Sequence, residues 1–447
     1  MEHDLTRGSV PGQLARFALP LFFANLFQTL YNMVDLFIVG RFLGSPGLAA
    51  LSSAVSLCYI ITSICTGVTT GGSVLVAQYH GAGDPDARRS ATGALFSLSA
   101  VTAVVVTLVS LLAYGPVLRA MRVPTDALPM ALDYMLVISL GTIFVLGYNA
   151  VCAVLRGMGD SQSPLVFVAI ATVVNILLDL LLVGPLGMGA AGAALATVAA
   201  QGLSFLIALV TLRRRGFLAG LHRRDFAFHP QRWGAILRIG APTAVQLSVV
   251  NLSYLLVTGM FNVYGTAVAA AAGVGLKLNT MAAMPCWAVG QAVTTMAGQC
   301  MGHGDPDRAG RTAKAGLALA LSVSGVMAVL VFLFAPQLIA LFDSAPDVVD
   351  AGAVYLRICC SVNFLAYAAM YVLDSFATGV GCATLGMVNA LLHSIVMRLS
   401  LSWLFGTALG YGFLGLCWAE MVAPFPCAVV GIVFFCRGRW KTKRLVS

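Results

Sequence analysis

Twelve stretches of the chain stay apolar for about twenty residues or more, the length a helix needs to cross a hydrocarbon layer roughly 30 Å thick. They lie near residues 15–38, 47–76, 91–115, 130–154, 163–184, 188–211, 235–260, 266–290, 313–335, 351–375, 385–408 and 411–436. In lipid every backbone N–H and C=O must find its partner within the segment, so each stretch is expected as a helix. What remains of the 447 residues makes short connections, with no room for a soluble catalytic domain. Charged residues amount to 10%, against about 25% in soluble domains. A chain this poor in charge cannot hide its apolar surface from water by folding alone. Soluble enzymes, disordered chains, coiled coils and nucleic-acid binders are set aside on that ground. The fold class is all-α integral membrane.

The first stretch, 15–38, is longer than the roughly 7–15 residues of a signal-peptide core and lacks a small-residue cleavage pattern, so it is expected to persist as a helix. Lys and Arg set the orientation. With the N-terminus inside, twenty of the 26 fall in cytoplasmic segments, among them Arg88, Arg89, Arg213, Arg214, Arg215, Arg223, Arg308, Arg311 and the tail residues Arg437 to Arg444. Outer loops hold Arg41, Arg119, Arg122 and Arg357, while Lys277 and Arg398 fall inside helices. The expectation is a multi-pass cell-membrane protein with both termini cytoplasmic. This placement also accounts for the net charge of +9 without a nucleic-acid partner. The eleven cysteines lie in or beside apolar stretches, without CxxC pairs or metal-ligand spacing, and read as buried free thiols.

The chain repeats itself. Gln78-x-x-Gly81-x-Gly83-Asp84-Pro85-Asp86 recurs 221 residues later as Gln299-x-x-Gly302-x-Gly304-Asp305-Pro306-Asp307. Pro20 pairs with Pro242, Gly157-x-Gly159 with Gly379-x-Gly381, and Gly187-x-Gly189 with Gly410-x-Gly412, at offsets of 222 to 223. The layout is therefore an N-terminal six-helix lobe over 1–212, a basic linker over 213–234 and a C-terminal six-helix lobe over 235–447. An even helix number per half makes the repeats parallel, an arrangement found in secondary transporters.

Polar residues inside the apolar helices carry the chemistry. The first helix holds Asn25, Gln28, Asn32 and Asp35, spaced 3, 4 and 3, which puts them on one face. The fifth holds Asn175 and Asp179, and the sixth Thr197 and Gln201, each pair four apart. A charged group at bilayer depth costs about 2.5–3.5 kcal/mol, so Asp35 and Asp179 should face the bundle interior or a wet cavity. Amides and hydroxyls alone would read as interhelical glue. Two carboxyls read better as a cation pocket, as hard oxygen ligands for Na⁺ or as proton carriers. Asn175 and Thr197 join them, with Gln28, Asn32 and Gln201 as lining residues.

The second half lacks this constellation. It offers Gln246 and Asn251 on the seventh helix, Lys277, Asp374, Arg398 and Glu420, from which a structural ion pair is expected. Pro20 frees a carbonyl one turn earlier and is a candidate hinge below Asp35. The Gly-x-Gly-Asp-Pro-Asp segments read as turns, and Gly40/Gly44, Gly67/Gly71 and Gly406/Gly410 as close-packing sites. No phosphate-binding loop is present, so uphill work would draw on an ion gradient.

Leu5-Thr6-x-Gly8-Ser9, Ala18-Leu19-Pro20, Tyr31-Asn32-x-x-Asp35, Gly40-Arg41-x-x-Gly44 and Ala77-Gln78-Tyr79-x-Gly81-Ala82-Gly83-Asp84 together resemble the MATE (multidrug and toxic compound extrusion) family. The resemblance implies two six-helix lobes around a central cavity and efflux of cationic or amphipathic small molecules against entry of H⁺ or Na⁺. It implies a non-enzymatic transporter of the lipid bilayer, working as a monomer without a cofactor. It also implies a cation site built from an Asp of the first helix, an Asn and an Asp of the fifth and a Thr of the sixth. Those are Asp35, Asn175, Asp179 and Thr197. One branch of the family adds a Glu on the seventh helix and an Asp on the tenth. Here the first is missing, with Asn251 nearby, and Asp374 stands at a different distance from Gly379, so the chain is similar to the branches that rely on the N-terminal half. The alternatives are a flippase for lipid-linked saccharides, which needs cationic residues in its cavity, and an integral-membrane enzyme or sensor.

Overall fold

The computed structural model describes residues 4–217, 220–443 and 445. Arg444 and the side chain of Arg223 lie outside the described residues. Among those residues the secondary structure is wholly helical. The longest element, Val10–Ala82, is one run of 73 residues. At 1.5 Å per residue it would measure roughly 110 Å, far beyond one hydrocarbon layer. It is broken at Gly44 (φ 65°, ψ −156°), a conformation open only to a residue without Cβ. We therefore treat it as α1 (10–43) and α2 (45–82). The helices that follow are α3 Pro85–Ala120, α4 Leu128–Gly157, α5 Gln162–Val183, α6 Gly189–Arg214, α7 Pro230–Asn262, α8 Thr266–His303 and α9 Pro306–Ala340. The span α10 is a pair, Pro346–Cys359 and Asn363–Gly379, bent by 51°. Thr384–Ala408 is α11 and Gly412–Arg437 is α12. Counting the broken first run as two crossings gives the twelve spans expected from the sequence.

The helices are longer than the apolar stretches that announced them, because polar residues extend them past the hydrocarbon. Arg41, Arg119 and Arg357 consequently lie in helices, not in loops. Only Arg122 of that group stands in a turn, with φ 54°. The α3 helix shows why a membrane is needed. Val104, Leu108 and Leu112, four apart, are 54%, 56% and 80% exposed, an apolar stripe that water would not tolerate.

The residues group into two compact units. The first centres on Phe23–Ala244 and the second on Leu5–Phe22 with Val245–Leu445. The units part inside α1 and α7, so each holds the opening segment of one of those helices. In the first unit, α7 packs against α2 with almost no side chain between them. A Cβ on Gly71 would stand 2.2 Å from the Ile236 carbonyl oxygen, and one on Gly67 2.5 Å from that of Gly240. This glycine pair is a close-packing site as its spacing suggests. Gly44 and Gly410 are not: each has positive φ and serves a break or a turn.

In the second unit, residues 5–22 are clasped by Arg308. Its guanidinium donates to the carbonyls of Leu5, Arg7 and Gly8 and to Gln13 Oε1. Gln299 Oε1 accepts from the Leu5 N–H at 3.2 Å. The repeated motif is thus more than a turn: Asp84 and Asp305 cap α3 and α9 through their side chains, and Gln299 holds the N-terminal segment. All eleven cysteines are free thiols, eight of them buried.

Candidate functional site

The first unit gathers polar groups from α1, α5 and α6 in an otherwise apolar interior. Asp35 is 6% exposed, Asn175 2% and Asp179 0%. The i, i+4 spacing on α5 carries Asn175 and Asp179 to one face, as helix geometry requires. Helix α6 comes close because its contact face is small: Ala193, Ala194, Ala196 and Ala200 are buried. Asn175 Nδ2 donates to Thr197 Oγ1 at 3.4 Å, joining α5 to α6. The Asp35 carboxyl of α1 lies against that of Asp179.

The satisfaction of these groups is incomplete. Asp35 Oδ1, both carboxyl oxygens of Asp179, Asn175 Oδ1 and Gln201 Oε1 are buried without a hydrogen-bond partner among the described residues. Every one of these atoms is an oxygen acceptor. Buried acceptors in such number cost free energy unless something positive or hydrogen-donating serves them. Two adjoining carboxyls call for a counter-charge, either a proton shared between them or a small cation held by carboxyl and amide oxygens.

The structure brings together Asp35, Asn175, Asp179 and Thr197, with Gln201 and Gln28 near the Tyr31 hydroxyl. Gln28 and Asn32 are exposed on α1, and so stand at the margin of the cluster. Sequence reasoning missed three residues. Tyr31 of α1 stands near Gln201 of α6, Tyr134 of α4 stands near both carboxyls, and Thr172 leaves a buried hydroxyl without a partner among the described residues. Thr172 is seven residues before Asp179, two turns away on the same face, and that spacing was readable. Tyr31 stood in the Tyr31-Asn32-x-x-Asp35 motif without being read as a site residue, and Tyr134, a tyrosine in an apolar helix, reads as core.

Asn251 and Asp374, the other candidate lining residues, belong to the second unit. Asp374 is 3% exposed, and its Oδ1 accepts from Asn389 Nδ2 at 2.7 Å. Asn251 is half-buried on α7. Pro20 lies within residues 5–22, in the second unit, while Asp35 on the same helix lies in the first. The expected ion pair forms between Arg398 and Glu420, both buried. Lys277 takes no part in it.

Comparison with known proteins identifies the family and the fold. The model of the family MatE matches the chain twice, over residues 20–181 and 242–404, which is the internal repeat read from the sequence. Among curated proteins, the chain is 29% identical to the probable multidrug resistance protein YpnP of Bacillus subtilis, covering 100% of this chain and 99% of that protein. It is 25% identical to an FAD transporter of Shewanella oneidensis, covering 97% and 95%. Among solved structures, the outward-facing conformation of a multidrug resistance MATE family transporter of the MOP superfamily superimposes with a TM-score of 0.91. It shares 22% identity and covers 99% of this chain and 98% of that one.

Proposed function

Because the chain belongs to the MatE family, whose members are transporters and not enzymes, we propose that it is a cation-coupled efflux antiporter for cationic or amphipathic small molecules. The observation that carries this reading is the pair of adjoining carboxyls, Asp35 and Asp179, with three of their oxygens buried and unpartnered. A structural role leaves those atoms unexplained, whereas a coupling ion needs them. The relatives named for multidrug resistance support the choice of cargo.

The mechanism is alternating access. With both termini cytoplasmic, the compound enters from the cytoplasm or inner leaflet while the carboxyls are ionised. The lobes then open outward. A proton or Na⁺ from outside neutralises Asp35 and Asp179 and changes the packing of α1 against α5 and α6. The compound leaves, and the cation is released inside. One charge crossing 100 mV supplies about 2.3 kcal/mol for this work. Pro20 and Pro242 each remove one rung of the helix ladder, in α1 and α7, and give those helices a place to bend.

The test is efflux of a fluorescent cationic dye from proteoliposomes under an imposed H⁺ gradient and, separately, an imposed Na⁺ gradient. One gradient is expected to drive efflux in the wild type and to fail in Asp35→Asn. Full gradient-driven efflux by Asp35→Asn would contradict the mechanism.

A further inference from the structure

Cation coupling makes no use of the basic tail, which is fastened to the second unit. Between Arg437 and Arg444 the sequence sets five cations and no acid. Gly438, at φ 64°, ends α12 and turns the chain. Trp440 is then 2% exposed. Its ring stacks on Phe435 and stands edge-on to Phe376, with centroids 5.8 and 4.8 Å away. Its Nε1 donates to the Phe435 carbonyl at 3.0 Å. Gly310 of α9 makes room for the ring, since a Cβ there would stand only 3.3 Å from it. Lys441 Nζ donates to Asp307 Oδ1 at 2.9 Å and so ties the tail to the first turn of α9.

This fastening leaves Arg437, Arg439 and Lys443 exposed, without an acidic partner among the described residues. The acids at the start of α9 are already met, Asp305 by Arg311 at 3.9 Å and Asp307 by Lys441. Arg437 also closes an apolar stripe. Val429, Val433 and Arg437 follow one another four residues apart along one side of α12, and all three are exposed, as is Ile432 beside them. A lipid-facing surface thus runs into a fixed pair of cations, Arg437 and Arg439.

We propose that the tail and the end of α12 form a docking site for an anionic phospholipid. Its phosphate meets Arg437 and Arg439, with Lys443 close in sequence, and its acyl chains lie along Val429, Ile432 and Val433. The occupant has to cover an apolar helix face at bilayer depth and present an anion where that face ends. A lipid does both, whereas an acidic protein or a nucleic acid meets only the cations. Each Lys or Arg beside an anionic membrane surface strengthens association about fivefold. Setting the orientation of the chain needs only the charge of the tail. It gives no reason to bury Trp440 or to tie Lys441 to Asp307, while a headgroup site needs its cations held in place. The site makes no use of Asp35 or Asp179 and stands whether or not the chain is a cation-coupled antiporter. With both termini cytoplasmic, the lipid belongs to the inner leaflet.

The test reconstitutes the full-length protein in nanodiscs of dioleoylphosphatidylcholine alone and of an equal mixture with dioleoylphosphatidylglycerol. Amide exchange is followed over residues 434–443. In the wild type the anionic lipid is expected to slow this exchange at least fivefold, with less than a twofold change in α4. The variant Arg437→Gln/Arg439→Gln/Lys443→Gln keeps Trp440 and the Lys441–Asp307 bond and is expected to lose the effect. Trp440→Ala keeps every cation but unfastens the tail, and its response is expected to fall below twofold, whereas Trp440→Phe retains it. Should the triple variant fail to reconstitute, Arg437→Gln alone is expected to weaken the response severalfold. Glycerophosphoglycerol, the headgroup without its chains, is expected to change nothing in the phosphatidylcholine discs. Slowing by that soluble anion would make the tail a site for free phosphate esters and overturn the lipid. No response of the wild type to phosphatidylglycerol, or an undiminished response in the triple variant, in Arg437→Gln or in Trp440→Ala, would overturn it equally.

Discussion

Asp179 is fully buried with neither carboxyl oxygen partnered, so its charge does little for the fold, and the proposed coupling is what would use it. Asp179→Asn is accordingly expected to keep a thermal midpoint at or above that of wild type in detergent, while gradient-driven efflux falls at least tenfold. Asp160 behaves in the opposite way. It lies between α4 and α5, outside the spans, and is 5% exposed. Burial pushes its carboxyl up, but hydrogen bonds from the Ser163 hydroxyl and N–H and from the Arg215 guanidinium outweigh it and hold the group below the usual carboxylate range. A depressed pKa in the folded state stabilises at pH above the unfolded value of about 3.9 and loses that contribution as pH falls through the folded value. Asp160→Asn should therefore cost about 1–3 kcal/mol near neutral pH. The gap to wild type should close in unfolding scans carried below about pH 4. Asp35, Asn175, Asp179 and Thr197 were legible because carboxyl, amide and hydroxyl groups at helical spacing stand out in an apolar run. Tyr134 was not, since its use depends on which helix lies opposite, and the motif that holds Tyr31 gave no sign of the helix it faces.

At the scale of elements, the chain announces its helices through apolar length and its turns through the Gly-x-Gly-Asp-Pro-Asp repeats. It does not announce distant contacts. Nothing local in Gln299 or Arg308 says that they hold residues 5–13, some 300 positions earlier. The bend of α10 and the widened, π-form turns of α11 over Leu392–Leu399 were equally silent, because ordinary residues carry them. Arg308→Ala removes the donors to Leu5, Arg7, Gly8 and Gln13. It should speed amide exchange and proteolysis within residues 5–22 while leaving α3 to α6 unaffected. Gly71→Val is the corresponding test of the α2–α7 contact in the first unit. The added carbons would run into the Ile236 carbonyl, and overpacking of this kind costs about 1–3 kcal/mol. A lowered thermal midpoint is the expected reading, with the substitution Gly234→Ala, which meets open space, as the control.

At the scale of the whole molecule, duplication supplied two six-helix halves, and only the first kept acids clustered on α1 and α5. The second has Asp374 tied to Asn389 and Glu420 tied to Arg398. That asymmetry is the ground on which the proposed coupling is placed in the first half. Alternating exchange at one site makes a specific demand: coupling is reciprocal, so a cargo gradient must drive the cation as surely as the cation drives the cargo. The decisive measurement is cation flux into proteoliposomes preloaded with the fluorescent cationic dye, with no cation gradient imposed. H⁺ is followed with a lumenal pH indicator and Na⁺ with a radioactive tracer. The outward dye gradient is expected to draw one of the two cations inward in the wild type and neither in Asp35→Asn or Asp179→Asn. Dye leaving the wild-type vesicles without either cation entering, or with entry undiminished in both variants, would contradict a coupling site at Asp35 and Asp179.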